Sequence, residues 1–87
     1  MREQLERVIE DFRPGFHADG MDLAVGTIDP AGVVQVKVLL GPEACLECLI
    51  PEDLMADMFR AAMGDVMPSL TRVDIVRESV DAVPRSY

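Results

Sequence analysis

The fold of this 87-residue chain is decided by residues 21–40, MDLAVGTIDPAGVVQVKVLL. Two runs rich in β-branched residues flank a Pro-Ala-Gly segment, in which Pro30 presets its own φ and Gly32 can adopt a positive φ. This pattern predicts a β-hairpin. The second strand has apolar side chains at alternate positions, as expected for a strand with one buried face. The core-facing residues are Val34, Val36, Val38 and Leu40.

An amphipathic helix is predicted before the hairpin. Its apolar residues recur with helical spacing, and charged residues occupy the other side. Pro14 and Gly15 should weaken or end this helix, although Phe16 continues the stripe and allows a kinked extra turn. The apolar stripe comprises Leu5, Val8, Ile9 and Phe12.

A second helix is predicted from Pro51, which is placed at the first helical position and is followed by Glu52 and Asp53. Its polar stripe is narrow, and apolar residues lie on both flanks. Such a helix is either well buried, with methionines filling gaps, or part of an interface with a second subunit. One flank contains Leu54, Met58 and Ala61, and the other contains Met55, Phe59, Ala62 and Val66.

A third strand is predicted over residues 71–77, TRVDIVR, and residues 78–87 lack any apolar period. The expected fold is therefore α+β, a two-layer α/β sandwich of order α-β-β-α-β with both helices on one face of a three-stranded sheet. Residues 1–77 form the domain, and residues 78–87 are expected to be a flexible tail. Strand order stays open.

The composition narrows the classes of function. Sixteen acidic residues against eight basic ones give a formal net charge of −8, which argues against nucleic-acid binding. We find no apolar run of membrane-spanning length and no signal peptide, so we expect a cytoplasmic protein. A domain this small buries a modest fraction of its surface, so a partner subunit or a metal centre would add substantially to its stability.

The two cysteines, Cys45 and Cys48, form a C-x-x-C pair between the hairpin and the second helix. Such a turn can present two thiolates to one soft metal centre, and a helix amino terminus favours the thiolate form. Two thiolates are half of a four-ligand set, and a two-fold axis between two chains would complete it. The pair can also be a redox-active dithiol, zinc ligands shared across a dimer, or buried cysteines without chemistry.

His17 is the only histidine, and it shares a turn with Asp19 and Asp22. These three side chains could form a metal site or an acid–base site, but Asp and Gly are ordinary turn residues. A local hydrogen-bonding role for His17 is the simpler interpretation. The sequence contains no Ser-His-Asp order, no glycine-rich phosphate loop and no pair of carboxylates placed for hydrolysis, so we do not expect an enzyme.

Three segments resemble the carboxy-terminal domain of the NifU family, whose members are iron–sulfur cluster scaffolds and carriers. They are VIEDFRPGFHADGMDL (residues 8–23), the C-x-x-C pair, and MPSLTRVDIV (residues 67–76). The resemblance covers about residues 3–77. The chain departs from the family pattern in a longer cysteine loop and in Met21, which stands where the family has a second glycine.

The resemblance implies a [4Fe–4S] cluster held by Cys45 and Cys48 of two subunits and delivered to acceptor apoproteins. Iron–sulfur assembly proteins would be further partners, and the chain would be a homodimer when the cluster is bound. Two alternatives remain open. One is a thiol–disulfide redox protein that uses the same C-x-x-C, and the other is a cluster-free NifU-like accessory domain, which the lengthened loop makes plausible.

Overall fold

The computed structural model describes residues 2–81, apart from the side chain of Leu46. Its strands form one mixed sheet of order β1-β2-β3, in which β2 pairs antiparallel with β1 and parallel with β3. The α+β class is confirmed, and β2 is the central strand. The elements are α1 (Arg2–Glu10), α2 (Arg13–Ala18), β1 (Met21–Ile28), β2 (Val33–Leu40), a 3-10 turn (Leu46–Cys48), α3 (Glu52–Gly64) and β3 (Arg72–Ser79).

The first predicted helix is divided into α1 and α2. Pro14 lies in the first turn of α2, where an N–H group is not needed for the helical hydrogen bonds. The break therefore falls just before the proline, and Phe16 still packs into the core with 8% of its surface exposed. The expected kinked extra turn is α2.

The predicted hairpin is confirmed, with its turn between Ile28 and Val33. The Gly32 N–H donates to the Asp29 carbonyl at 2.9 Å, and the Asp29 N–H donates to the Val33 carbonyl at 2.8 Å. Gly32 has a φ of +90°, and a Cβ atom there would collide with the Ser69 carbonyl oxygen. Glycine is therefore required here by both conformation and space.

The core lies between the sheet and the helices. Val34, Val36 and Val38 are fully buried, as predicted, whereas Leu40 is partly buried at the margin of the core. The ring of Phe12 meets that of Phe59 edge to face, with centroids 5.1 Å apart. The other buried apolar residues are Leu5, Ile9, Phe16, Met21, Leu23, Val25, Met55, Met63, Met67 and Val73.

Two element boundaries differ from the sequence-based expectation. Pro51 is the N-cap of α3 and not its first helical residue, because its extended ψ of 143° keeps it outside the helix. Strand β3 continues to Ser79, and the Val80 N–H donates to the Leu40 carbonyl at 2.9 Å. The start of the expected tail therefore belongs to the sheet. The rest of it, residues 82–87, lies outside the described residues.

Among the described residues, the helices are all too short or too polar to cross a membrane.

Candidate functional site

The two cysteines lie side by side in the loop that links β2 to α3. Their Cα atoms are 5.2 Å apart, and their side chains form a disulfide. The Cys48 N–H donates to the Cys45 carbonyl at 3.0 Å, which closes the turn between them. Cys45 is partly buried and Cys48 is exposed. The loop thus presents both sulfur atoms together, with that of Cys48 on the more accessible residue.

The cysteine loop is held against the turn that joins α2 to β1. The Cys45 N–H donates to the Asp19 carbonyl at 2.9 Å, and the Gly41 N–H donates to the Gly20 carbonyl at 3.1 Å. Gly20 has a φ of +78°, and a Cβ atom there would lie 2.9 Å from the carbonyl oxygen of Glu43. Close approach of these two backbones therefore requires glycine at position 20.

A buried carboxylate braces this turn. Asp22 is 4% exposed, and its Oδ1 accepts a hydrogen bond from the Leu23 N–H at 2.8 Å. The same oxygen lies 2.9 Å from His17 Nε2 and 3.5 Å from Arg13 Nε. Since buried charges are retained only with close partners, these contacts tie α2 to the first residues of β1.

The grouping of His17, Asp19 and Asp22 in the sequence is thus divided in the structure. His17 and Asp22 are joined through their side chains, whereas Asp19 contributes its carbonyl to the cysteine loop. Sequence reasoning missed Arg13, the third member of the Asp22 contacts. Arg13 precedes His17 by four residues, so both side chains lie on one face of a helix. This spacing is the sequence signal from which the contact could have been predicted.

An apolar groove with a volume of about 350 Å³ opens beside Cys48. Its walls come from the link between α1 and α2, from α2 and the turn after it, from β1, from the cysteine loop and from α3. Ile50, 38% exposed, belongs to this lining, and the exposed Leu54 (54%) follows it in sequence. The groove is lined by Asp11, Phe12, Gly15, Phe16, Asp19, Met21, Cys48, Ile50 and Met58.

A second cavity, of about 510 Å³, also borders the disulfide. Cys45, Cys48, His17 and Glu43 all contribute to its lining. Cys48 therefore borders both of these cavities, and Cys45 borders the second. Within residues 2–81, no cluster of three or more His, Cys, Asp or Glu side chains could hold a metal ion.

Comparisons of this chain with protein-family models, with curated proteins and with solved structures found no match. The resemblance to the NifU family therefore stays a prediction from three short segments of sequence.

Proposed function

We propose that this protein carries an iron–sulfur cluster and delivers it to acceptor apoproteins. The cluster is the cargo, bound by Cys45 and Cys48 of two copies of the chain, and iron–sulfur assembly proteins supply it. The observation that carries the proposal is the placement of both sulfur atoms side by side in an accessible loop. We place this activity in the cytoplasm, where thiols persist in the reduced form.

Cluster binding requires reduction of the Cys45–Cys48 disulfide. A dithiol reductant supplies two electrons and two protons that convert the disulfide to two thiols and is itself oxidised to a disulfide. Loss of the thiol protons then yields the thiolates that ligate iron. Cys48 lies four residues before Glu52, the first residue of α3.

The stoichiometry of ligands sets the proposed assembly. The chain has two cysteines, whereas a [4Fe–4S] cluster is held by about four thiolates. A two-fold axis between two cysteine loops supplies the full set. The apolar groove beside Cys48 and the exposed Ile50 offer a contact surface around such a cluster. Because the ligands come from two exposed loops, the cluster can be transferred without unfolding the domain.

Anaerobic reconstitution with iron and sulfide, after reduction of the disulfide, tests this proposal. We expect a brown dimer with one cluster per two chains. Cys45→Ser and Cys48→Ser should each abolish both the colour and the cluster-dependent dimer, because each substitution removes two of the four ligands in that dimer. Ala44→Ser is the matched control, since it adds the same hydroxyl next to the site and removes no sulfur. A colourless dimer that contains zinc would replace the iron–sulfur cargo with a zinc site.

A second candidate function is thiol–disulfide exchange, which is favoured by the disulfide itself. The Cys48 thiolate would attack a substrate disulfide to form a mixed disulfide, and one substrate thiolate would leave. The Cys45 thiolate would then attack the Cys48 sulfur of the mixed disulfide and release the second substrate thiolate. The substrate is then reduced, and Cys45 and Cys48 are joined in a disulfide. Exposure of Cys48 and partial burial of Cys45 fit these two roles.

Reduction of insulin disulfides by the protein, with dithiothreitol as the source of electrons, distinguishes this function from cluster transport. A monomer that stays colourless with iron and sulfide but accelerates insulin reduction would establish the exchange reaction. A colourless monomer with inert thiols would leave the third alternative, a cluster-free accessory domain.

A further inference from the structure

The two edge strands of the sheet, β1 and β3, differ in the side-chain hydrogen bonds that their outward backbone groups make. At the β1 edge, side chains bond the outward backbone groups. Arg2 donates to the carbonyls of Val25 at 2.9 Å and Gly26 at 2.6 Å, and Arg13 donates to the Leu23 carbonyl at 3.1 Å. The Leu23 N–H is bonded by the Asp22 carboxylate. A further strand cannot pair along this part of β1 without displacing these side chains.

Within residues 2–81, the β3 edge has no such side-chain protection. The N–H groups of Arg72 and Val80 donate toward β2, to the carbonyls of Gly32 and Leu40. Since backbone groups alternate in direction along a strand, the odd-numbered residues of β3 point their N–H and C=O groups away from the sheet. The side-chain hydrogen bonds found for residues 2–81 include none to these outward groups, which belong to Val73, Ile75, Arg77 and Ser79.

We propose that β3 pairs antiparallel with β3 of a second copy of the chain, which joins two three-stranded sheets into one of six strands. An open strand edge favours such pairing. The middle of the strand, at Ile75 and Val76, is apolar and only partly buried. This interface is independent of the cysteine pair and of the function proposed for it.

The order of charges along β3 selects the register. With a two-fold axis at Ile75, the outward backbone groups of one β3 strand face those of the other, as antiparallel hydrogen bonding requires. In this register Arg72 lies opposite the partner subunit's Glu78. The pair occurs twice. A shift of the axis to residue 74 sets Asp74 against itself, and a shift to residue 76 sets Asp74 against Glu78. Like charges directly opposite are destabilising, so the register centred on Ile75 is favoured over these two.

Arg72 and Glu78 are available for this pairing. In the single chain they contact Asp74 and Lys37, at 2.8 Å and 3.8 Å, in exposed ion pairs. Such exposed pairs contribute little to stability and can be exchanged for others. The contacts across the proposed interface therefore replace interactions of similar strength and add the backbone hydrogen bonds.

The proposed pairing does not bring the cysteine loops together. The carboxyl end of β3 borders the start of the cysteine loop, where Gly41, Ala44 and Ser79 line one cavity. Antiparallel pairing puts the two carboxyl ends at opposite ends of the interface, roughly 25 Å apart for strands of this length. A cluster-linked dimer and a β3-linked dimer therefore use different surfaces, and together they would form higher oligomers.

Sedimentation equilibrium of the reduced protein with a metal chelator, at about 0.15 M salt to screen the net charge, tests the proposal. We expect the protein to dimerise as its concentration rises, with a Kd of about 1 mM or lower. Arg72→Glu and Glu78→Arg should each weaken association by about tenfold, since each sets like charges opposite in two places. The double variant Arg72→Glu/Glu78→Arg restores opposite charges and should return to within about threefold of the wild-type Kd.

Two control variants account for the change in net charge. Arg60→Glu and Glu3→Arg change charge by the same amounts at exposed positions on α3 and α1, and they should leave the Kd unchanged. Cys45→Ser should also associate like the wild type, which separates this interface from the cluster-dependent dimer. Hydrogen exchange should slow at the Ile75 and Arg77 amides as protein concentration rises.

A wild-type protein that stays monomeric over the whole concentration range would overturn the proposal. It would also be overturned if the double variant associated as weakly as the single variants, or if association left exchange at Ile75 unchanged.

Discussion

Two Arg–Asp pairs lie at the two edges of the sheet, and they differ mainly in burial. At the β1 edge, the side chains of Arg13 and Asp22 are 17% and 6% exposed. At the β3 edge, those of Arg72 and Asp74 are 66% and 46% exposed. The shorter distance belongs to the exposed pair, at 2.8 Å against 3.5 Å. Distance alone therefore does not rank their contributions to stability.

Burial decides what each pair contributes. Removal of one partner from a buried pair leaves a desolvated charge, whereas water replaces the missing partner of an exposed pair. The buried pair also connects α2, β1 and the turn that holds Cys45. We therefore expect the β1 side to be the structural support of the cysteine loop and the β3 side to tolerate change.

Asp22→Ala should produce the largest effect of this comparison. The substitution leaves the Leu23 N–H without its acceptor and removes the carboxylate that faces Arg13 and His17. We expect a loss of about 3 kcal/mol in the free energy of unfolding, measured with urea. Asp74→Ala is the matched control at the other edge. Equal losses for the two variants would refute the distinction between the edges.

Gly20→Val tests the close approach between the α2–β1 turn and the cysteine loop. A side chain at φ +78° is strained, and its Cβ atom would press on the Glu43 carbonyl. We expect a loss of about 2 kcal/mol and faster hydrogen exchange at the Cys45 amide. Gly15→Ala is the control, because a Cβ atom there meets nothing within 4 Å. That variant should be stabilised by about 0.5 kcal/mol, since Gly15 lies within α2.

Arg2→Ala tests the side-chain protection of the β1 edge. It removes two hydrogen bonds to the carbonyls of Val25 and Gly26, at the irregular part of β1. We expect a loss of about 1 kcal/mol, because water can reach these carbonyls once the guanidinium is gone. Arg7→Ala removes an exposed arginine from the same helix and should have no measurable effect. Similar losses for both variants would show that the loss of any arginine from α1, and not edge protection, is responsible.

Arg72→Ala should give the smallest effect, about 0.5 kcal/mol or less, because its ion pair with Asp74 is exposed. The unfolding measurement is made at low protein concentration, where chains do not associate. High salt should reduce the difference from the wild type further. A loss as large as that of Asp22→Ala would show that burial does not separate the two pairs.

Much of the fold could be predicted because its signals are local. The alternation at Val34, Val36 and Val38 and the helical spacing of Leu5 and Ile9 each reflect the geometry of a single element. The proximity of Cys45 and Cys48 also follows from a separation of three residues. The exposure of Leu54 could not be predicted, since it depends on how α3 is rotated against the sheet.

The sequence by itself determined the elements, the apolar faces and the position of the cysteine pair, because these depend on residues a few positions apart. Only the tertiary structure decided that β2 is central, that Arg13 and Asp22 meet at the β1 edge, and that Gly20 supports the cysteine loop. These features join segments whose relative positions are set by packing of the common core. The periodic pattern of apolar residues within one element carries no information about these contacts, so they are defined only in the folded chain.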